Sequence, residues 1–279
     1  QHADRCGQCI GRVHFGLTMS ITSLDGMIAA VKRRVVYQKT ASRTSVANIP
    51  FSVFDLAGNP GAGTLAVGNT ANGVVPTDAT AGYPAIATPA ASLYLNRIQA
   101  RSSVACWLDV FDCVFSAGAY AFNANTTLAS QPSYAGRLPN ADYNGLELWL
   151  EAVTAHTGNQ SIRIQYLDQG GAAGDTGTIA TGVTPIVGRM FFMPLAAGDS
   201  GLQRVDVVTS TVSSAGTFNV HVMRWLWGCR INAANQGVVD SFLKTGAPQI
   251  YDGSAIRMVV TADSTATGLP SLRAETIDG

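Results

Sequence analysis

Alternating apolar and polar positions in the second half of the chain predict β-strands. Leucines occupy every second position from 146 to 150, and large apolar side chains do so from 162 to 166. This alternation is typical of antiparallel sheets with one buried face. The intervening residues 156–159 are His-Thr-Gly-Asn, a turn-forming sequence. Residues 145–154 and 160–168 are therefore predicted to pair as a hairpin.

A second hairpin is predicted from residues 203–211 and 217–231, joined by the turn Ser-Ser-Ala-Gly. Four further segments have strand-like patterns: 92–99, 104–111, 189–195 and 255–261. Segment 104–111 also fits a helical spacing, and it is assigned to a strand because both of its faces are apolar. Short strands, glycine-rich turns and few helices predict a mainly β fold, with a β-sandwich or jelly-roll body.

The pattern divides the chain into three parts: an N-terminal extension with a short basic helix (1–48), an extended arm (49–90) and the sandwich (91–279). The helix is predicted over 23–36, capped by Ser23 or Asp25. Gly, Ala, Thr, Asn and Pro dominate the arm, so it is expected to be ordered by what it lies on, including neighbouring chains. Residues 1–18 are expected to precede a natural start at Met19, or to result from processing.

The small number of charged residues and their zero net charge limit the classes of protein to which this chain can belong. Charged residues make up 13% of the 279 residues, about half the usual share, and 18 basic residues balance 18 acidic ones. Disorder is excluded, nucleic-acid binding through a basic surface is disfavoured, and a neutral surface favours association with other chains. Seven basic residues face two acidic ones in 1–48, which indicates either a solvated face or a surface for an acidic partner or nucleic acid. The longest apolar run, 104–122, contains Asp109 and Asp112 and is not predicted to cross a membrane.

Residues 198–201, Gly-Asp-Ser-Gly, match the nucleophile segment of chymotrypsin-like proteases. His156 and either Asp168 or Asp175 precede Ser200 in the order of that family. Only 44 residues separate His156 from Ser200, too few for two barrels. A turn between strands is therefore predicted, and no catalytic residue.

Glu147 and Glu151 flank Trp149 on one predicted strand face. Their separation of about 13 Å along a strand exceeds what either glycosidase mechanism uses. Glycan binding by Trp149 with help from Arg163 stays open, beside the alternative of a cross-strand ion pair.

His221, Met223, Trp225 and Trp227 are predicted to share one strand face, either in the core or at the centre of a subunit interface. His221 is expected to be a hydrogen-bonded structural residue.

Cys6 and Cys9 form a C-x-x-C pair near His14, without the second pair of ligands that a closed zinc site needs. No metal or cofactor is predicted. Arginine supplies 15 of the 18 basic residues, as favoured at interfaces, although a GC-rich genome would give the same bias.

A basic helix after Met19, the arm, and the segments SLYLNRIQARSSVACWLDVFD and NGLELWLEAVTAHTGNQSIRIQYLDQGG follow one another along the chain. In style and segment order, residues 19–231 resemble structural proteins of tailed-bacteriophage virions, in particular head decoration and minor capsid proteins. The resemblance implies a sandwich with an arm, present in many copies on a capsid, and no catalytic residues.

The sequence thus predicts a non-enzymatic virion structural protein at the capsid or head surface, with a decoration, cement or minor capsid role. Its expected partners are its own copies and a capsid shell protein, with no membrane and no sequence-specific nucleic acid. The alternatives are a major capsid or tail/connector component, or a carbohydrate-binding sandwich on a receptor-binding appendage. The residues expected at interfaces are Met223, Trp225, Trp227, Arg33, Arg34 and Trp149.

Overall fold

Antiparallel sheets make up most of the computed structural model, which describes residues 23–89, 92–211 and 215–279. The mainly β prediction is confirmed. The elements in chain order are α1 (Leu24–Ala29), β1 (Lys32–Lys39), β2 (Pro50–Ser52), β3 (Gly58–Asn59), β4 (Asn69–Val74), β5 (Leu93–Arg101), β6 (Cys106–Ala121), β7 (Asn125–Thr127), two 3₁₀ turns (Ala135–Arg137 and Pro139–Ala141), β8 (Leu146–Thr154), β9 (Ser161–Asp168), β10 (Ala173–Asp175), β11 (Ile179–Ala180), β12 (Met190–Met193), β13 (Leu202–Ser210), β14 (Thr217–Ile231), β15 (Gly237–Ser241), α2 (Phe242–Thr245), β16 (Gln249–Ile250), β17 (Ile256–Ala262) and β18 (Ser271–Asp278). None of the helices in these ranges is long and apolar enough to cross a membrane.

The strands form three sheets. Sheet 1 has the order β15-β5-β18-β1-β3, with β16 also paired to β5. Sheet 2 has the order β12-β8-β14-β6-β17-β2, with β4 also paired to β6. Sheet 3 has the order β10-β9-β13-β7, with β11 also paired to β9.

Sheet 2 is shared by two hydrophobic cores, because β6 and β14 are 16 and 15 residues long. One end of these strands packs against sheet 1 through side chains such as Leu108 and Leu226. The other end packs against sheet 3 through side chains such as Val220 and Val222. Register shifts along β14 keep apolar side chains directed at both cores.

Both predicted hairpins are wrong, although all four strands exist. Strand β8 pairs with β12 and β14 in sheet 2, whereas β9 pairs with β10, β11 and β13 in sheet 3. In the same way β13 belongs to sheet 3 and β14 to sheet 2. In each case the apolar residues of the two strands enter the same core from opposite sides. Alternation predicts which face is buried, and it does not distinguish a hairpin from a crossing between two packed sheets.

The predicted helix over 23–36 is too long. Ser23 caps α1 as expected, since its hydroxyl accepts a hydrogen bond from the Gly26 amide. The helix ends at Ala29, and residues 32–39 form β1, paired along its length with β18. The β-branched Val35 and Val36 favour a strand, and the basic residues after position 31 therefore lie on a strand and not on a helix.

The arm lies on its own chain. Strand β2 pairs with β17, β3 with β1, and β4 with β6. The ammonium group of Lys39 is buried against the arm. It donates to the backbone carbonyls of Phe54, Leu56, Pro60 and Gly61. These bonds compensate the buried charge and hold the first loop of the arm.

We expect Leu148→Ala to lower the free energy of unfolding by about 2–5 kcal/mol, because the side chain is fully buried between sheets 2 and 3. The matched control is Leu243→Ala, whose side chain is 83% exposed and which should change stability by no more than about 0.5 kcal/mol. Urea unfolding of both variants measures the difference. Equal losses in the two variants would contradict this packing.

Candidate functional site

The outer face of sheet 2, directed away from both cores, carries most of the unusual side chains of the molecule. Along β14 it includes Asn219, His221, Met223 and Trp225. The arm covers the first three, which are buried, and leaves Trp225 open. The covered part contains a polar cluster, and the open part contains two tryptophans.

The covered part is organised around an ion pair between Glu151 of β8 and Arg257 of β17. One guanidinium nitrogen of Arg257 lies 2.7 Å from each carboxylate oxygen of Glu151. Both side chains are fully buried. A buried charge without a partner costs several kcal/mol, so each of these residues requires the other.

His221 joins the ion pair to a hydroxyl and a thiol. Its Nε2 lies 3.1 Å from Glu151 Oε2, and its Nδ1 lies 2.8 Å from Ser116 Oγ. The Cys113 thiol lies 3.2 Å from Ser116 Oγ and 3.8 Å from His221 Nδ1. His221 is thus buried and hydrogen-bonded, as expected.

The cluster shifts the pKa of each titratable member. Burial opposes ionisation of Glu151, but the Arg257 charge and the His221 hydrogen bond lower its pKa to about 2. Burial and Arg257 disfavour the charged form of His221, yet its hydrogen bonds to Cys113 and Glu151 raise its pKa overall. Burial would raise the pKa of the Cys113 thiol, but the bond to His221 and nearby positive charge lower it to about 7.

The same cluster attaches the arm to sheet 2. The Asn219 amide donates to the Leu65 carbonyl at 2.7 Å and also reaches Glu151 at 3.3 Å. The Arg257 guanidinium stacks on the Phe54 ring, which in turn packs against Tyr83. Arm residues therefore cover the charges that hold them.

A cavity of about 400 Å³ lies between the arm and this cluster. Ser116, His221 and Arg257 line one side of it, and apolar arm residues such as Leu65 and Val75 line the other. The Ser116 hydroxyl, the His221 imidazole and the Glu151 carboxylate are linked by hydrogen bonds in this sequence. In hydrolases, the same sequence of groups activates a serine nucleophile. Sequence reasoning missed this constellation because Ser116 and Arg257 lie in apolar strands without a recognisable motif around them.

The open part of the outer face contains Trp107 and Trp225, which are 52% and 48% exposed. The indole N–H of Trp225 donates to Asp109 at 3.3 Å. The Arg230 guanidinium lies over the Trp107 ring, 5.7 Å from its centroid. Burial raises the pKa of Asp109, although the bond from Trp225 partly opposes this shift.

The predicted single row of Met223, Trp225 and Trp227 is wrong. A register shift between Trp225 and Trp227 turns Trp227 to the opposite face of sheet 2. There it is buried in the core against sheet 1, and its N–H donates to Asp240. Met223 keeps its face but is buried under the arm. Of the three, Trp225 alone is exposed.

Trp149 and Arg163 lie on different sheets, so the pair predicted to help each other bind a glycan is not formed. Trp149 on β8 contacts Phe111 and Phe192 edge-on, and its N–H donates to Glu147 at 2.7 Å. Arg163 on β9 pairs with Asp175 in sheet 3. Glu151 forms an ion pair with Arg257 of another strand on the outer face of sheet 2, as the ion-pair alternative expected, whereas Glu147 accepts a hydrogen bond from Trp149.

The protease-like segment is a turn, as predicted. The Asp199 amide donates to the Ala196 carbonyl, and the Ser200 hydroxyl bonds to Asn144. His156 is buried elsewhere, beside Thr181.

Arg33 and Arg34 lie on opposite faces of β1. Arg33 forms two hydrogen bonds with the Asp278 carboxylate, at 2.9 and 2.7 Å. Arg34 is exposed.

Cys6, Cys9 and His14 lie outside the described residues. Within the described ranges, no group of three His, Cys, Asp or Glu side chains could hold a metal ion.

No protein-family model matches the chain, and no curated protein matches it. Among solved structures, one of the infectious bursal disease virus Gt strain aligns at 9% identity over 89% of this chain and 81% of that chain, with a TM-score of 0.18. One of the Gx strain aligns at 10% identity over 89% and 80%, with a TM-score of 0.16.

We expect Glu151→Gln to lower the free energy of unfolding at pH 7 by about 3–5 kcal/mol, because it leaves the buried Arg257 charge without its counter-ion. The folded-state pKa of Glu151 is about 2, against 4.5 for the model compound. Its contribution is therefore complete above pH 4.5 and is lost as the pH falls toward 2. The difference in stability between wild type and variant should shrink over that range. Glu275→Gln, at a half-buried carboxylate bonded to Asn96, is the control, and equal pH dependence in both variants would contradict the assignment.

Proposed function

We propose that this chain is a non-enzymatic structural protein of a virion, which binds its own copies and a capsid shell as a decoration, cement or minor capsid protein at the head surface. The observation that carries the proposal is the open part of the outer face of sheet 2. Two half-exposed indoles stand there on a rigid sheet that is already packed on its other side.

Such a surface suits contact with another protein chain. Tryptophan supplies a large apolar area with little side-chain entropy to lose, and it is enriched among the residues that dominate binding energy. The neutral, weakly charged composition also favours association. Both indoles lie at the end of sheet 2 that the arm leaves uncovered, so a partner reaches them without moving the arm.

The buried cluster supports a structural role more than a catalytic one. Ser116 and His221 are both almost inaccessible, and their neighbours Asn219 and Arg257 bind the arm. Hydrolysis would require the arm to move and thereby to uncover the Glu151–Arg257 pair. The arrangement is better suited to holding the arm in place.

A carbohydrate-binding sandwich is the second candidate, and for it we propose a site at the two exposed tryptophans instead of at Trp149. Exposed aromatic rings beside carboxylate and guanidinium groups can stack on sugars and hydrogen-bond to their hydroxyls. Trp107, Trp225, Asp109 and Arg230 provide this combination, whereas Trp149 is partly covered by Phe192.

We expect the purified chain to self-associate, and Trp107→Ser/Trp225→Ser to weaken that association by about thirtyfold or more, since interface tryptophans typically contribute about 2 kcal/mol or more. Light scattering after size-exclusion chromatography gives the mass across a dilution series, and mixing with candidate capsid shells tests co-sedimentation. Leu243→Ser, at an exposed residue of α2, is the control. A small oligomer that binds shells supports a decoration role, and spontaneous particles support a shell role. A stable monomer that binds no particle would refute both.

Under the glycan alternative, the chain should bind members of a glycan array, and Trp225→Ala should abolish that binding while Trp149→Ala retains it. Absence of binding by the wild-type chain would dismiss this candidate. If only Trp149→Ala lost glycan binding, the glycan site would lie at Trp149 on β8 and not at Trp225.

A further inference from the structure

Four arginines project from the face of sheet 1 that points away from the core. Strand pairing places Arg97 of β5 next to Glu275 of β18, and Glu275 next to Arg34 of β1. Arg273 of β18 lies between Gln99 and Val36 in the adjoining row. Arg101 of β5 lies opposite Ser271 in a third row. All four arginines are exposed, and Glu275 is the only carboxylate in these three rows.

These four differ from every other arginine in the described residues. The other nine each donate to a carboxylate or a backbone carbonyl: Arg33, Arg43, Arg137, Arg163, Arg189, Arg204, Arg224, Arg230 and Arg257. Within the described ranges, Arg34, Arg97, Arg101 and Arg273 form no hydrogen bond or ion pair. The three lysines are also occupied, by carbonyls or by Asp240. In the described ranges, the arginines without a hydrogen-bond or ion-pair partner are therefore all on one face.

Shallow depressions separate the arginines. One, of about 320 Å³, is lined by Gln38, Gln99, Arg101, Arg273 and neighbouring backbone. A smaller one, of about 90 Å³, lies between Arg34, Arg97, Arg273 and the Glu275 carboxylate. In the larger depression, guanidinium and amide donors surround a concave site in which an anionic oxygen can accept several hydrogen bonds.

We propose that this face binds the phosphodiester backbone of a nucleic acid without sequence preference. The choice of a nucleic acid over an acidic protein rests on the character of the face. Protein interfaces have an apolar or aromatic centre, whereas the three rows hold only Val36 and Val239 among arginine, glutamine and serine. Positive and polar surfaces are typical of contacts with phosphates. The carboxylates of Asp142 and Asp168 accept hydrogen bonds from backbone amides of two separate turns.

A net charge of zero disfavours a basic surface only if charges of both signs are evenly mixed. The four exposed arginines without partners lie together on sheet 1. The proposal is independent of the virion role, because it uses a different sheet and a different set of residues.

The test is fluorescence anisotropy of the full chain with a labelled oligothymidylate and, separately, a labelled duplex, each of about 30 nucleotides per strand, between about 50 and 200 mM salt. With four phosphate contacts, the logarithm of the association constant should fall with the logarithm of salt concentration with a slope of about −3 for the single strand. Arg97→Gln/Arg273→Gln should weaken binding about tenfold or more at the lowest salt and bring the slope to about −1.5.

The matched control is Arg163→Gln/Arg204→Gln, which removes two exposed arginines that are paired on sheet 3. It makes the same change in net charge and should leave the affinity within about twofold. Arg34→Gln/Arg101→Gln, on the proposed face, should reproduce the loss, and thermal unfolding shows that each variant is folded. Equal losses in the sheet 1 and sheet 3 variants, or no binding by the wild-type chain, would overturn the proposal. Full displacement of the oligonucleotide by polyglutamate at equal charge would also overturn the proposal, because it would show that the face binds an acidic protein as well as it binds phosphates.

Discussion

The ion pair between Glu151 and Arg257 is the constraint on which the outer face of sheet 2 depends. Two opposite charges at the middle of a sheet cannot remain in a dry interior unless each is paired and hydrogen-bonded. His221, Ser52 and Asn219 supply the additional bonds, and Phe54 covers the guanidinium. The arm is therefore attached by the polar groups that it shields from water, and its many small residues need not bury much apolar area of their own.

The length of the arm also decides which part of the outer face of sheet 2 stays exposed. The arm covers the end of sheet 2 that packs on sheet 3 and stops short of the end that packs on sheet 1. Trp107 and Trp225 lie at the uncovered end. A register shift in β14 separates Trp225, which faces outward, from Trp227, which completes the core. The exposed aromatic surface is thus produced by one irregularity of strand pairing and by the length of the covering segment.

Local patterns predicted the strands well because alternation reports which side of a strand is buried. Segments 92–99, 189–195 and 255–261 all lie within one or two residues of observed strands. Alternation does not report the partner strand, so β8 and β9 were predicted to pair although they face each other across a core. Strand β18, at the centre of sheet 1, was not predicted, because the small Ala274 and the polar Thr276 at buried positions give it a weak apolar pattern. The site was predictable only in part, because Arg257 and Ser116 acquire their partners through pairing between strands that are distant in sequence.

The arginine-rich face of sheet 1 and the tryptophan-bearing face of sheet 2 differ in charge and in position on the molecule. Sheet 1 packs against the inner side of sheet 2, with side chains such as Leu108 and Leu272 in the shared core, and packed sheets lie about 10 Å apart. The arginines of sheet 1 and the tryptophans of sheet 2 therefore lie on opposite sides of the same sandwich. A polyanion on one side leaves the other side free for a protein partner. A chain with no net charge can in this way present a basic face and an apolar face at once.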